Sequence, residues 1–105
     1  MSISTIAVIT VQPGKGDEAE PALRTLTEAV QAEPGCELYS LHRGLAEPDV
    51  FVTVERWTDQ ASLDAHLHAP ALASAMTDFG HLLAGAPQII PAELLPVGDA
   101  AKGAY

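Results

Sequence analysis

Residues 34 to 66 constrain the fold of this 105-residue chain more than any other segment. Pro34-Gly35 stops a helix and leads into a strand running from Cys36 to Arg43. Gly44 to Asp49, with Pro48 inside it, reads as a hairpin loop. Val50 to Trp57 follows as the clearest strand in the sequence. Thr58 or Asp59 then caps a short helix that carries Leu63 and His66.

The flanking segments complete a pattern. Ile3 to Val11 is β-branched and apolar, a buried strand closed by Pro13-Gly14. The first helix starts near Lys15 to Asp17 and ends at Pro34-Gly35, with Ala19, Leu23, Leu26 and Val30 among the apolar positions of one face. Pro21 fits a helix that begins close to Asp17, and an earlier start predicts a kink. Pro70 suits the first turn of a later helix, whose Leu72, Met76, Phe79 and Leu83 form one buried stripe. Gly85-Ala86-Pro87 breaks that helix, and Gln88 to Leu95 is a fourth strand. Residues 1–97 are expected to form one domain, and 98–105 a flexible C-terminal tail.

Strand, helix, strand, strand, broken helix, strand is the order of an α+β, ferredoxin-like split βαβ domain. Its four-stranded antiparallel sheet carries helices on one face only. Yet Val50 to Trp57 is apolar on both parities: Val50, Val52 and Val54 on one, Phe51 and Trp57 on the other. A sheet buried on both faces gives that pattern. Hydrophobic residues make up 48% of the chain, more than a lone domain of this size usually hides, although an alanine-rich composition also inflates the count. The simplest cover for the second face is the same sheet of another copy, paired by two-fold symmetry.

Composition removes several function classes. A net charge of −9 with five Lys plus Arg repels a phosphate backbone, which argues against a nucleic-acid partner. There is no basic amphipathic face and no run near the ~20 apolar residues that span a bilayer, so no membrane partner is expected. Met1-Ser2-Ile3-Ser4 lacks the charged start of a signal peptide, and a cytoplasmic location is expected. The single cysteine, Cys36, allows no internal disulfide and no multi-cysteine metal site.

Glu55 and Trp57 project from one face of their strand, with Phe51 and Thr53. If that face looks toward the helices, His66 can fold back over the same space. A Glu beside a His holds the imidazole tautomer, and the pair can act as base toward a phenol or hydroquinone. The plainer alternative is a buried polar pair that fixes helix to sheet. Trp57 offers a flat wall and an N–H donor to an aromatic ligand, or simply packs in the core. Tyr39 can donate a hydrogen bond to a ligand oxygen, whereas His42 has the opposite parity. Met76 and Phe79 fit a pocket lining or a core equally well. His66 and His68 point to different helix faces, and no zinc or iron motif is present, so no metal is expected. A Gly-rich phosphate loop is missing, and with it the nucleotide and flavin fingerprints.

Taken together, Pro34-Gly35-Cys36-x-x-Tyr39, Phe51-x-x-x-Glu55-x-Trp57 and Ala61-x-Leu63-x-x-His66-Leu67 resemble the antibiotic biosynthesis monooxygenase domain family, which includes quinol monooxygenases. Val11-Gln12-Pro13-Gly14-Lys15-Gly16 is similar to its opening, and the resemblance covers roughly residues 3 to 95. It implies a homodimer whose sheets face each other, a dimeric α+β barrel. It also implies oxidation of a hydroquinone, phenol or polycyclic aromatic by dioxygen with no cofactor. On this reading His66 and Glu55 are catalytic, and Trp57, Tyr39, Met76, Phe79 and Phe51 bind the aromatic substrate. Ala71 stands after Pro70 where many relatives have His, which argues against a two-His site, although His68 is nearby. Strand one has no Asn and the region around Met76 has no His, which argues against the haem-degrading branch. The fold also hosts proteins of other chemistry. The alternative is therefore a non-oxygenase dimeric barrel that binds or cyclises a small apolar ligand.

Overall fold

The computed structural model describes residues 2–104. In chain order come β1 (Ile3–Thr10), α1 (Gly16–Gln31), β2 (Cys36–Arg43), β3 (Val50–Trp57), α2 (Gln60–Leu67) and α3 (Pro70–Phe79). A 3₁₀ turn (Gly80–Leu82), β4 (Gln88–Ala92) and a single helical turn α4 (Ala100–Gly103) complete it. The sheet order is β2-β3-β1-β4, antiparallel throughout, which is the split βαβ arrangement.

β3 strictly alternates. Phe51, Thr53, Glu55 and Trp57 are buried under the helices, while Val50, Val52, Val54 and Arg56 are half-buried on the other side. The register places Thr5 opposite Glu55, Ala7 opposite Thr53 and Ile9 opposite Phe51, so β1 adds three more inward residues. Tyr39 of β2 also pairs with Glu55. One inward row across three strands therefore reads Tyr39, Glu55, Thr5. The outer face stays partly open, with Glu93 to Leu95 along one part of it. It exposes Ile6 and Ile90, 41% and 42% accessible, beside the half-buried Val8, Val52 and Val54.

The core falls into two clusters. Ile9, Leu23, Phe51, Phe79 and Leu82 pack at one end of the layer, and Val30, Tyr39, Trp57 and Leu63 at the other. Leu26 of α1 touches both. α1 runs unbroken through Pro21, which lies on its exposed side, so the helix bond that proline cannot make is lost where water can replace it.

Three expectations are adjusted. β4 stops at Ala92 rather than Leu95, because its pairing with β1 has reached Ser4 near the start of that strand. α3 stops at Phe79, and Leu83 lies beyond the 3₁₀ turn, bridged to Val11. Its buried residues are Ala75 and Phe79, while Met76 stays 49% exposed. At the C-terminal end Asp99 caps α4 by accepting from Ala101 and Lys102 N–H.

The turn between β1 and α1 is held by one side chain. Asp49 Oδ2 accepts from Gly14 N–H and Oδ1 from Gly16 N–H, both at 2.9 Å. A Cβ on Gly16 would lie against the Pro48 carbonyl and the Arg43 guanidinium, so only glycine fits that approach. Asp49→Ala removes both bonds at once and is expected to lower stability by about 1–3 kcal/mol in urea unfolding. Wild-type stability in that variant would show that the turn holds without them.

Candidate active site

The turn after α1 sets the geometry of the site. Gly35 adopts a left-handed conformation (φ +81°) and packs so close to the Ser62 side chain that a Cβ could not be accommodated. Its carbonyl accepts from Thr58 N–H at 2.9 Å, which fastens the β3–α2 junction to the α1–β2 turn. Asp59 caps α2 by accepting from Ser62 N–H at 2.8 Å. These contacts lay α2 across the end of the sheet and bring His66 to Glu33, 33 residues earlier in the chain.

His66 is 4% exposed. Its Nδ1 lies 2.7 Å from Glu33 Oε1. The ring stacks on Trp57 at 4.6 Å between centroids and 22° between planes, and meets Tyr39 edge-on at 5.8 Å. In a neutral ring, a carboxylate partner places the proton on Nδ1 and leaves Nε2 as the acceptor.

Beneath His66 lies the carboxyl group of Glu55, also 4% exposed. Its Oε2 accepts from Thr53 Oγ1 at 2.7 Å and its Oε1 from Trp57 Nε1 at 2.9 Å. Thr53 and Trp57 flank Glu55 at two residues' distance, which strand alternation makes its nearest neighbours on that face. The expected Glu55–His66 pair is therefore corrected. Glu55 spends its oxygens along its own strand, and Glu33 is the residue that holds the imidazole.

A cavity of about 180 Å³ opens between sheet and helices. Thr5, Tyr39 and Glu55 lie along its floor, His66, Leu72 and Met76 along its roof. Thr5 Oγ1 is buried there and has no hydrogen-bond partner among the described residues. Burial, then the neighbouring Glu55 carboxyl, pushes the Tyr39 phenol above its ordinary value. It stays a neutral donor at any physiological pH. Among the described residues no cluster of three or more His, Cys, Asp or Glu is placed to hold a metal ion, and no helix is long and apolar enough to cross a membrane.

The model of the antibiotic biosynthesis monooxygenase family matches residues 2–78. The chain belongs to that family. Its fold superposes on PA3566 from Pseudomonas aeruginosa with a TM-score of 0.81 at 30% identity, covering 90% of this chain and 94% of that one. A crystal structure of an antibiotic biosynthesis monooxygenase gives the same TM-score at 26% identity, covering 90% and 99%. The protein sll1783 of Synechocystis sp. is 36% identical over 62 residues, 59% of this chain. The match spans only 42% of sll1783, and the curated relatives are covered to less than two thirds of their length.

Within this family member the seven residues singled out in the sequence separate into groups. Glu55, Tyr39, His66 and Met76 line the cavity, and Trp57 stands behind His66 as its stacking partner. Phe51 and Phe79 do not line it. Both are buried in the other cluster, since Phe51 sits at the opposite end of β3 from Trp57, on the order of 20 Å away. Cys36 is half-buried, and burial raises its thiol pKa, as a small structural residue requires. Two groups of the site were not foreseen, Glu33 behind His66 and Thr5 in the cavity. Glu33 gives no periodic signal, standing only next to Pro34-Gly35, and Thr5 reads as one polar residue in an apolar strand.

The raised Tyr39 value carries a pH signature. The folded state keeps the phenol proton above pH 10.0, where an ordinary tyrosine has released it. Stability from this residue is thus complete below that pH and falls as the pH rises beyond it. In urea unfolding across alkaline pH, Tyr39→Phe is expected to flatten that fall. An equally steep loss in the variant would assign the alkaline instability to other groups.

Proposed function

We propose that the protein is a cofactor-independent monooxygenase that oxidises a hydroquinone or phenol with dioxygen. The reading is carried by His66, fixed by Glu33 in the tautomer that leaves Nε2 as acceptor, and stacked on Trp57 at the wall of an aromatic-sized cavity. Membership of the family supports the reaction class. A hydroquinone hydroxyl gives its proton to Nε2, and the electron-rich anion passes an electron to dioxygen. Radical recombination forms a carbon–oxygen bond on the ring. The O–O bond of the resulting hydroperoxide then breaks, its distal oxygen taking the second electron pair and leaving as water, so hydroquinone plus dioxygen gives hydroxyquinone plus water. All four electrons come from the substrate. The protein's part is to take the proton, hold the ring and exclude water.

Oxygen uptake on a panel of hydroquinones and phenols, with no added cofactor, tests this directly. His66→Ala is expected to lower turnover by roughly 10²–10⁴-fold, the usual share of a positioned base. Glu33→Gln should lower it less, because a neutral amide still contacts the ring. Uptake no faster than autoxidation, with an aromatic still bound, would favour the ligand-binding or cyclising alternative.

We also propose that the working unit is a homodimer formed through the outer sheet face. Ile6 and Ile90 are exposed there beside Val8, Val52 and Val54, a contiguous apolar patch of the kind that monomers seldom leave open. The same face of a second copy matches it in polarity, as a two-fold contact requires. Sedimentation equilibrium at micromolar concentration should give twice the subunit mass, and Ile6→Asp, at the centre of the patch, a folded monomer. A single-subunit mass for the wild type overturns the dimer.

A further inference from the structure

Thr5 is 1% exposed, and among the described residues its hydroxyl meets no acceptor or donor. A buried hydroxyl without a partner destabilises a fold, and native structures rarely keep one. Valine has nearly the same shape, suits a strand better and carries no such cost. The hydroxyl is therefore best explained by something that enters the cavity. The cavity fits that account, since Thr5 lies on its wall beside Glu55. The carboxyl of Glu55 is engaged by Thr53 and Trp57, whereas the Thr5 hydroxyl has no internal bond to break.

Size narrows the ligand. A 150 Å³ apolar cavity takes up benzene, whereas drug-sized ligands occupy roughly 300–1,000 Å³. At about 180 Å³ this space suits one six-membered ring and not a fused polycycle. Its polar groups stand on opposite walls, His66 on the helix side and Thr5 on the sheet side beside Tyr39 and Glu55. A ring seated between them can satisfy both when it carries oxygen at two positions.

We propose that Thr5 is a specificity-determining residue that hydrogen-bonds the second oxygen of a single-ring hydroquinone whose first hydroxyl faces His66. The inference rests on the oxygenase reading, because it takes His66 as the other pole. Phenol fills only one pole and leaves Thr5 unpaired. A site with a buried group waiting for a hydroxyl discriminates against the analogue that lacks it.

The test is anaerobic binding of hydroquinone and of phenol to the wild type and to Thr5→Val, followed by aerobic uptake. In the wild type hydroquinone should bind at least about tenfold more tightly than phenol, the worth of one good hydrogen bond. In Thr5→Val the two should bind alike, with phenol affinity unchanged. The ligand-free variant should melt at a higher temperature than the wild type, because an unpaired buried hydroxyl has gone. A merely structural threonine would give the reverse, a lower melting temperature and an unaltered ratio, and either result overturns the proposal. Absent oxygen uptake by the wild type would sink the oxygenase reading. Intact uptake with an unaltered ratio in Thr5→Val would sink only the role of Thr5.

Discussion

A carboxyl group in a protein interior must be given hydrogen-bond donors, and Glu55 finds both of its own on β3. Strand alternation leaves Thr53 and Trp57 as its nearest same-face neighbours, and each donates. Much of the site follows from that. Trp57, tied down by its N–H, presents a fixed ring face, and His66 stacks on it. The imidazole then needs a partner for Nδ1 away from the sheet, and the turn after α1 supplies Glu33. That turn is in place because Gly35 permits close approach to Ser62 and accepts from Thr58. A strand, a helix start and a helix end are thus locked together through one buried acid and one aromatic ring.

The parts legible in the sequence were those governed by short-range periodicity. The period of two in Val50 to Trp57 identified the inner face, and Pro34-Gly35 with Asp59 marked the ends of helices. Parity identifies a face but not a position along it. Phe51 and Trp57 share a parity, yet six residues of extended chain carry them into different clusters. The same limit applies on α3, where Met76 and Phe79 lie on one stripe but only Met76 reaches the cavity. The pairing of His66 with Glu33 rather than Glu55 was not legible, because it depends on where α2 crosses the sheet. Local sequence does not encode that crossing; the docking of two distant turns does.

The inner face is also where the sequence departs from what stability alone would choose. Small or polar residues at Thr5, Ala7 and Glu55 leave a space that larger apolar residues would fill. At ~24 cal/mol per Å³, about 180 Å³ forgoes on the order of 4 kcal/mol of packing. That is a large share of the 5–15 kcal/mol typical of a domain. The unpaired Thr5 hydroxyl adds to the deficit. Departures of this kind concentrate where a protein works. Here they share one cavity wall rather than being scattered through the core, and the two close-packed clusters flank them.

Those clusters explain how the fold tolerates the gap. Phe51 and Phe79 close one end of the layer, Trp57 and Leu63 the other, and Leu26 spans both. The cavity is therefore held open by rigid packing at both ends instead of collapsing. Placing dense packing away from the polar groups lets Thr5 and His66 keep fixed positions on opposite walls, as the proposed ring-orienting site would require. The apolar outer face completes the same logic. In the proposed dimer, a subunit that gives up inner packing to keep a cavity would recover stability by burying its other sheet face, and Ile6, Val52 and Ile90 are the surface available for it.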